Sequence, residues 1–327
     1  MKSAPGFLSE LQVQLESVPL EVLESVNRPG GFEVSDLLDS ILRPKDYTVC
    51  MPHQVDLGTV KTFEDIDVDT RKIGENIVAD NQVAFCLLFD GTDDELPFLV
   101  KKLEASKNIQ EIWLLIPPSF IPEIYLILSS LGTSNVKVMT NYETFALTPD
   151  NRLIDGFASP KLSICGRGDL IPSLQNNGIL EEFVSVGGKY VYVTPVKNPL
   201  LSPDPMVLGQ HVIGKKPVTC EVVDRHRFDK RDILCNHAGF DQLVGQHRLM
   251  YPADPDYFTY VGVDSYVFDA NLDFNTMTFS WHRMKRTIDN KIVISYERSL
   301  NDLTFTFQTQ YVKVPRTSRL MDHDSSE

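Results

Sequence analysis

The sequence predicts an α/β protein with a mainly parallel sheet, and three observations support that prediction. From residue 82 onward, short apolar segments rich in β-branched residues alternate with helical patterns, as in βαβ units. The connections between these segments are short, which is typical of a parallel sheet flanked by helices. The 327 residues are 42% hydrophobic and 23% charged, which suits a large core. Length alone allows one large domain or two ordinary ones.

The individual elements follow from apolar periodicity and turn residues. Continuous or alternating apolar runs predict strands, and apolar residues spaced by three and four predict helices. The predicted strands are 83–89, 112–116, 136–139, 190–193, 218–223, 258–269, 291–297 and 303–312, and the predicted helices are 96–106, 120–131 and 170–186.

The N-terminal part follows a different pattern. Residues 1–45 have apolar spacings of three and four, interrupted by Pro19 and by the turn at 28–31, so we predict a helical N-terminal extension with a second helix over 34–42. Residues 46–80 are acidic and irregular, and we expect a surface loop with at most a short strand. The predicted organisation is an extension with an acidic loop over 1–80, one α/β domain over 81–320 and a disordered tail over 321–327.

Charge and cysteine usage limit the classes of partner. The net charge of −14 argues against nucleic-acid binding, and the basic clusters at 215–216, 225–231 and 283–286 are interpreted as surface turns. No apolar run approaches the length of a membrane span, and the N-terminus lacks a secretory apolar region. The five cysteines form no C-x-x-C pair, which favours reduced thiols in a cytoplasmic protein.

The most informative segment runs from residue 161 to residue 198. Gly166-Arg167-Gly168-Asp169 opens a predicted helix, and the strand that follows this helix leads into Thr194-Pro195-Val196-Lys197-Asn198. This stretch resembles the UDP-glucose pyrophosphorylase (UTP–glucose-1-phosphate uridylyltransferase) family, whose members carry G-H-G-D and S-N-V-D-N at these places. Weaker matches are Glu221–Asp229 to E-V-T-D-K-T-R-A-D, Glu297 to a family glutamate, and Val314–Arg319 to V-P-R-S-R-F.

The resemblance covers roughly residues 82–320 and implies a Rossmann-like nucleotidyltransferase fold of the GT-A-like type, with a mixed, mainly parallel sheet. It also implies a chemistry, in which a glycine-rich loop, a lysine and a carboxylate-held Mg²⁺ align a sugar phosphate with UTP. Lys197 stands in place of the metal-binding aspartate, Asp93 lies in the phosphate-loop segment, and Asp322 replaces a basic residue. We therefore expect no catalytic residue at these positions, and we expect the family's C-terminal β-helix domain to be absent.

The phosphate loop of the family reads L-N-G-G-L-G-T-x-M-G-C-K-G-P-K, and the matching segment here is Leu88–Pro97. Only Gly91 and Thr92 match, the lysine is missing, and the carboxylates at 93–95 would repel a triphosphate. Two interpretations stay open. Asp90, Asp93 and Asp94 could form a Mg²⁺ site, or the acidic residues could simply begin a helix, where the helix dipole favours them.

The residues that could still contact a ligand are Gly91, Gly166, Arg167, Gly168, Asp169, Lys197 and Asn198. The glycines allow close approach of the backbone to a base or sugar, but a tight turn followed by an aspartate N-cap would explain the same residues without a ligand. A protonated lysine has no lone pair for a metal, although it could itself substitute for a cation. We expect no metal site and no cofactor, with Mg²⁺ required only if the chain is active.

Three hypotheses about function stay open. The chain is a catalytically inactive pseudoenzyme that serves as a protein-binding scaffold or regulatory subunit, it is an active, divergent uridylyltransferase that makes a UDP-sugar, or it is a non-catalytic sensor. The sensor would bind a uridine nucleotide or UDP-sugar weakly near Gly166 and Asp169. The combined loss of the glycine loop, its lysine and the metal-binding aspartate favours the scaffold, which requires a protein partner that the sequence does not identify. The N-terminal extension is a candidate surface for that partner, unless it docks on its own domain.

Overall fold

The computed structural model describes residues 11–31, 33–35, 37–38, 52–156, 158–227, 229–249, 257–277, 279–288 and 291–320. The chain divides into two compact units, each assembled from three segments. The first unit comprises Met1–Asp46, Thr140–Asn177 and Phe279–Leu300, and the second comprises Tyr47–Met139, Gly178–Thr278 and Asn301–Glu327. The boundary expected after residue 80 falls inside the second unit, and the expected tail at 321–327 lies outside the described residues.

Strands and helices alternate along the middle of the chain. The strands are β1 (Lys61–Thr62), β2 (Val83–Leu88), β3 (Ile112–Ile116), β4 (Val136–Thr140), β5 (Glu143–Phe145), β6 (Leu162–Ile164), β7 (Tyr190–Pro195), β8 (Val218–Asp224), β9 (Ile233–His237), β10 (Phe240–Val244), β11 (Tyr260–Asp269), β12 (His282–Ile288), β13 (Lys291–Glu297) and β14 (Thr309–Lys313). The helices are α1 (Leu20–Val26), α2 (Val68–Ala79), α3 (Leu96–Ala105), α4 (Ile121–Leu131), α5 (Leu170–Asn177), α6 (Ile179–Ser185), α7 (Pro205–Gly214) and α8 (Asp302–Thr306).

The second unit is built on a ten-stranded sheet with the order β1-β14-β8-β11-β7-β2-β3-β4, to which the β9–β10 hairpin is joined through β11. The neighbours β1, β14 and β8 are parallel, as are β7, β2 and β3, and β11 runs antiparallel between β8 and β7. The six parallel strands therefore end at one edge of the sheet, which is where open α/β sheets bind ligands. The predicted mixed, mainly parallel sheet is confirmed.

Continuous apolar sequence explains the centre of this sheet. Every residue of β2 and of β3 is buried, as expected for strands covered on both faces. Leu99 and Leu103 of α3 and Ile124 and Leu128 of α4 belong to the same core. The predicted bounds of these four elements are correct to within one or two residues.

The expectation of a loop over 46–80 is wrong for residues 68–79, which form α2. Asp67 caps this helix, because its carboxylate accepts hydrogen bonds from Thr70 N at 2.6 Å and from Thr70 Oγ1 at 2.8 Å. Ile77 is buried, and Ile73 and Val78 pack beside it. Acidic residues on the solvent side of the helix make this short apolar stripe difficult to recognise in the sequence. The expected short strand is present as β1.

Two other predicted elements are wrong in part. Residues 170–186 form two helices rather than one, because Gly178 adopts a left-handed conformation with φ of 66° between α5 and α6. Residues 303–312 were expected to be a strand, but they divide between α8 and β14. The sequence also did not predict α7, the β9–β10 hairpin or β12.

The first unit contains two antiparallel strand pairs, β5–β6 and β12–β13. Residues 11–16 are helical, as are α1 and the described residues of 34–38, so the described part of the N-terminal segment is helical as predicted. Leu11, Leu15 and Val26 share a buried cluster with Phe145 and Ile294. The remainder of the two predicted N-terminal helices lies outside the described residues.

No helix among the described residues is long and apolar enough to cross a membrane. The four cysteines in the described part of the chain, Cys86, Cys165, Cys220 and Cys235, are buried and form no disulfide. Burial raises the pKa of the Cys235 thiol to about 12, so this group stays protonated and unreactive at neutral pH.

A buried ionic network lies in the second unit. Arg319 is 3% exposed and contacts Glu221 through Nε and Asp204 through Nη2, the latter at 2.8 Å, and the Tyr192 hydroxyl donates to Glu221. Glu221 and Arg319 are two of the residues that the family resemblance had matched. Their retention is explained here by a buried ion pair within the fold.

Lys102 lies close to this network and is 1% exposed. Its ammonium donates to the carbonyl oxygen of Leu200. Burial, with a smaller contribution from the charge of Arg319, lowers the pKa of Lys102 from 10.5 to about 7. The unfolded chain therefore binds more protons than the folded chain between these pH values, so this group reduces stability as the pH falls from 10.5 towards 7.

Replacing Lys102 with methionine should raise the melting temperature, and the gain should depend on pH. Methionine fills a similar volume without a charge to desolvate, and the lost hydrogen bond to Leu200 costs only about 1 kcal/mol. We expect a rise of at least about 4 °C near neutral pH, and a smaller rise near pH 10, where most of the penalty is absent. Equal shifts at both pH values, measured by circular dichroism, would contradict the depressed pKa.

The helices α2 and α7 cross with their backbones in contact. A Cβ added at Gly74 would lie 1.8 Å from the carbonyl oxygen of Pro205, and one added at Gly209 would lie 1.9 Å from that of Thr70. Neither carbonyl can move away without displacing its helix. The crossing therefore requires glycine at both positions.

Gly209→Ala should destabilise the protein by about 3 kcal/mol, because the methyl group forces the two helices apart. Thermal melting would show this as a fall in the transition temperature of at least about 6 °C. The control is Gly58→Ala, whose added Cβ would meet the Asp56 side chain alone, with its nearest atom, Oδ1, at 3.3 Å. A Gly209→Ala protein that melts like the control would show that the helices are not in contact.

Candidate functional site

Gly166 and Gly168 shape the turn that leads into α5. Gly166 has a φ of +88°, and a Cβ there would lie 2.6 Å from the carbonyl oxygen of Arg298, while one at Gly168 would lie 2.7 Å from the Cβ of Arg298. The backbone also pairs directly, with Arg298 N donating to Cys165 O at 2.6 Å and Gly168 N donating to Arg298 O at 3.1 Å. Both glycines are thus required by packing against Arg298.

Asp169 is fully buried beside this turn. Its Oδ2 accepts a hydrogen bond from Tyr142 N at 2.9 Å, and its Oδ1 lies 3.7 Å from Nη1 of Arg298. The expected N-cap role is therefore wrong, since the carboxylate accepts from the backbone between β4 and β5 rather than from the first turn of α5. Burial raises the pKa of Asp169 to about 7, although the charge of Arg298 opposes the shift.

Arg298 completes this cluster in the first unit. Its guanidinium donates to the carbonyl oxygens of Gly30 and Gly31, both at 2.7 Å, and lies 4.3 Å from the ring centroid of Trp281. The guanidinium is thus paired within the first unit, where its hydrogen bonds hold the turn at 28–31 that the sequence predicts. Of the four predicted ligand residues at 166–169, Gly166, Gly168 and Asp169 contribute to the fold, and Arg167 is partly buried.

At the end of β2, the structure bears out the acidic helix-start turn. Thr92 and Glu95 form a capping box, and Oε2 of Glu95 accepts from Asp90 N at 2.9 Å and from Thr92 N at 3.3 Å. Gly91 has a φ of +86°, and a Cβ there would lie 2.6 Å from Cγ of Pro117. Gly91, the one glycine that matches the phosphate loop, therefore allows close packing against Pro117 in the segment after β3.

At the end of β7, Lys197 forms an ion pair with this acidic turn. Its Nζ lies 3.0 Å from Oδ2 of Asp94, and the two side chains are 46% and 68% exposed. Partial burial opposes protonation, but the hydrogen bond to Asp94 and the charges of Glu95, Asp94 and Asp90 raise the pKa of Lys197 above its usual value. The hydrogen bond from Thr92 and the contact with Lys197 lower the pKa of Asp94. Both partners are charged at neutral pH.

Asn198 points into the protein and is 5% exposed. Its Nδ2 donates to Ser265 Oγ at 3.1 Å, its Oδ1 accepts from Leu200 N at 2.9 Å, and Ser265 also contacts Thr194 Oγ1 at 3.0 Å. Ser265 lies where the register of β11 shifts, next to Asp264, which has a φ of 55°. The sequence analysis missed this polar cluster, although Asp264 and Ser265 interrupt an otherwise apolar strand.

The residues at the ends of β2 and β7 do not fit a magnesium ion. An ammonium occupies the place of the expected carboxylate ligand and already neutralises Asp94. In the described part of the chain, no group of three or more His, Cys, Asp or Glu side chains is arranged to hold a metal. The interpretation of Asp90, Asp93 and Asp94 as a Mg²⁺ site is therefore not supported, and Asp322 lies outside the described residues.

The sheet, with the altered motif residues at the carboxyl ends of β2 and β7, defines the class as a nucleotidyltransferase-like α/β protein. Residues 152–247 match the family model described as UTP–glucose-1-phosphate uridylyltransferase. The resemblance to the UDP-glucose pyrophosphorylase family is thereby confirmed, with a low identity that marks this chain as divergent.

Solved structures agree with this assignment of the fold. UDP-glucose phosphorylase from Trypanosoma brucei superposes with a TM-score of 0.69 at 13% identity, covering 97% of this chain and 76% of that chain. A mutant UDP-glucose pyrophosphorylase from Leishmania major gives 0.67 at 14% identity, covering 98% and 77%. Another Leishmania major mutant, in complex with UDP-glucose, gives 0.66 at 14%, covering 97% and 77%. No curated protein matches the chain in sequence.

A pair of substitutions tests which of the predicted site residues contribute to the fold. Gly168→Ala should lower the melting temperature by at least about 4 °C in the absence of any ligand, because its methyl group meets Arg298. Lys197→Met should change it by less than about 2 °C, because an exposed ion pair contributes at most about 1 kcal/mol. Equal behaviour of the two variants in thermal melting would contradict the assigned roles.

Proposed function

We propose that this chain is a catalytically inactive UDP-glucose pyrophosphorylase-like protein that acts as a protein-binding scaffold or regulatory subunit. The ion pair between Lys197 and Asp94 carries the proposal. It places an ammonium at the end of β7, where the family resemblance implies a carboxylate that holds Mg²⁺. An aspartate at this position would add a metal ligand. The lysine instead neutralises the negative charge of Asp94.

The charges at the end of β2 support the same conclusion. Asp90, Asp93 and Asp94 lie in the segment that the resemblance matches to the phosphate loop, and this segment lacks the family's lysine. Each carboxylate within about 4 Å of a phosphate oxygen would cost roughly 1 to 4 kcal/mol, depending on its exposure to water. Since about 1.4 kcal/mol corresponds to a tenfold change in rate, two such contacts would remove most turnover.

The retained family residues do not argue for activity, because each has an internal role. Gly166 and Gly168 accommodate Arg298, and Glu221 pairs with Arg319 inside the second unit. These contacts explain the resemblance through the fold alone. The partner is an unidentified protein, and no cofactor, nucleic acid or membrane is part of the proposal. A cytoplasmic location is part of it, based on the cysteine usage described above.

A sensor of uridine nucleotides is the second candidate, and one observation favours it. The fold is shared with a Leishmania major protein that was solved in complex with UDP-glucose. Within the second unit, Lys197 would supply such a sensor with positive charge for a phosphate group, but it would have to leave Asp94.

A pyrophosphate-release assay with UTP, glucose-1-phosphate and Mg²⁺ tests the inactive assignment. We expect a rate at least about 10⁴-fold below that of Leishmania major UDP-glucose pyrophosphorylase assayed in parallel, because the loop lysine and the metal ligand are both missing. Lys197→Asp should remain inactive, since one carboxylate does not restore the loop. A turnover rate within about 100-fold of that of the control enzyme would contradict the proposal.

Thermal shift then separates the scaffold from the sensor. A ligand that binds only the folded protein raises its melting temperature by mass action. For a scaffold, about 1 mM UTP or UDP-glucose should shift the transition by less than about 1 °C. A shift that grows with UDP-glucose concentration and is lost in Lys197→Met would favour the sensor.

A further inference from the structure

A concave site lies at the β1 edge of the sheet of the second unit. A cleft of about 420 Å³ lies beside β1 and is lined by residues of α2, of α7 and of the segment before β1. In the strand order, β1 lies four positions from β7, or about 19 Å at the usual strand spacing. The cleft is therefore separate from the Lys197 region.

Gln210 of α7 lines this cleft and is 8% exposed. Its backbone carbonyl accepts from Gln310 Nε2 at 3.1 Å, but its side-chain amide makes no hydrogen bond with any residue that the structure describes. Its Nε2 and Oε1 remain accessible to water, unlike the fully buried polar atoms of other described residues that lack a partner. An accessible amide that faces a cleft can donate to a ligand and accept from it.

The cleft is open to solvent, and its lining is partly polar and partly apolar. Leu57 and Ile213 line it and are 50% and 47% exposed, although both are large hydrophobic residues. Exposed apolar side chains around a concave surface are typical of sites that bind a partner. A ligand for this cleft therefore carries apolar groups as well as amide-like hydrogen-bonding groups.

The strand beside the cleft offers backbone groups of its own. β1 is the terminal strand of the sheet order and pairs only with β14 among the described strands. The outer edge of such a strand can accept another extended segment, and main-chain hydrogen bonds then supply affinity while alternate side chains supply specificity. Lys61 and Thr62 of β1 both line the cleft.

Charge at the cleft favours a basic ligand. Asp65 and Asp67 line it, and Lys61 is the one basic residue in its lining. The hydrogen bonds from Thr70 hold the Asp67 carboxylate in place and lower its pKa, so it remains ionised. The overall charge of −14 adds long-range attraction for a cation.

We propose that this cleft binds an extended peptide segment of a partner protein, in which apolar residues alternate with lysine or arginine. The segment adds to the outer edge of β1, its apolar side chains fill the space between Leu57 and Ile213, and its basic side chains reach Asp65. A backbone amide of the segment pairs with the Gln210 side chain. This inference deepens the proposed scaffold function and rests on it.

Fluorescently labelled heptapeptides test the inference on the full chain. An alternating valine–lysine peptide should bind with a Kd below about 1 mM. A valine–glutamate peptide should bind at least about tenfold more weakly because of the acidic lining, and a glycine–lysine peptide should bind at least tenfold more weakly because it lacks apolar side chains. Equal binding of all three, or no binding of the first, would overturn the inference.

Single substitutions identify where the valine–lysine peptide binds. Ile213→Asp should weaken the valine–lysine peptide at least about tenfold, while Leu126→Asp, at a residue 72% exposed on α4 and outside the cleft, should leave its affinity unchanged. Gln210→Leu should weaken the peptide at least about fivefold, because it removes the side-chain amide that pairs with the peptide backbone. Full affinity in Ile213→Asp and in Gln210→Leu would overturn the site.

The peptide result and the turnover result are independent readouts. Peptide binding together with rapid pyrophosphate release would refute the inactive assignment and leave the cleft as a docking site on an enzyme. No turnover together with no peptide binding would refute the cleft and leave the scaffold to another surface. Each combination therefore identifies which of the two statements fails.

Discussion

Burial of an arginine between carboxylates is the constraint on which the second unit depends. Arg319 follows β14, and its guanidinium contacts Glu221 on β8 and Asp204 at the start of α7, while Tyr192 on β7 donates to the same glutamate. Removing one member would leave a buried charge without its partner, which costs about 3 to 5 kcal/mol. The first unit has an equivalent in Arg298, which lies between Asp169 and the carbonyl oxygens of residues 30 and 31.

These buried networks explain why family residues survive in a chain with an altered cleft. Glu221, Arg319, Gly166 and Gly168 cannot change one at a time without a cost to stability, whatever the activity. Lys197 and Asp94 are 46% and 68% exposed, so substitutions there carry little structural penalty. The buried residues that match the family are therefore constrained by the fold, whereas these two exposed positions are not.

The sequence was informative where local pattern decides structure. β2, β3, α3 and α4 were predictable because their apolar residues are continuous or regularly spaced, and the acidic turn was predictable from its charges and from the helix that follows. α7 was missed because it contains Gly209, Gln210 and His211 in its middle, residues that weaken the helical pattern but allow a close helix crossing. The contacts of Asp169 with Tyr142 and Arg298 join residues far apart in sequence, and single-sequence patterns contain no information about such pairing.

Two regions of the second unit differ in how their polar groups are satisfied. At the end of β7, Lys197 pairs with Asp94 of the acidic turn and Asn198 pairs with Ser265 and Leu200, so a ligand would have to break contacts before making its own. At the β1 cleft, the Gln210 amide makes no hydrogen bond with a described residue, and Leu57 and Ile213 are about half exposed. A ligand there replaces water rather than contacts within the protein. Physical chemistry thus favours recognition at the sheet edge over the region that resembles a nucleotide site.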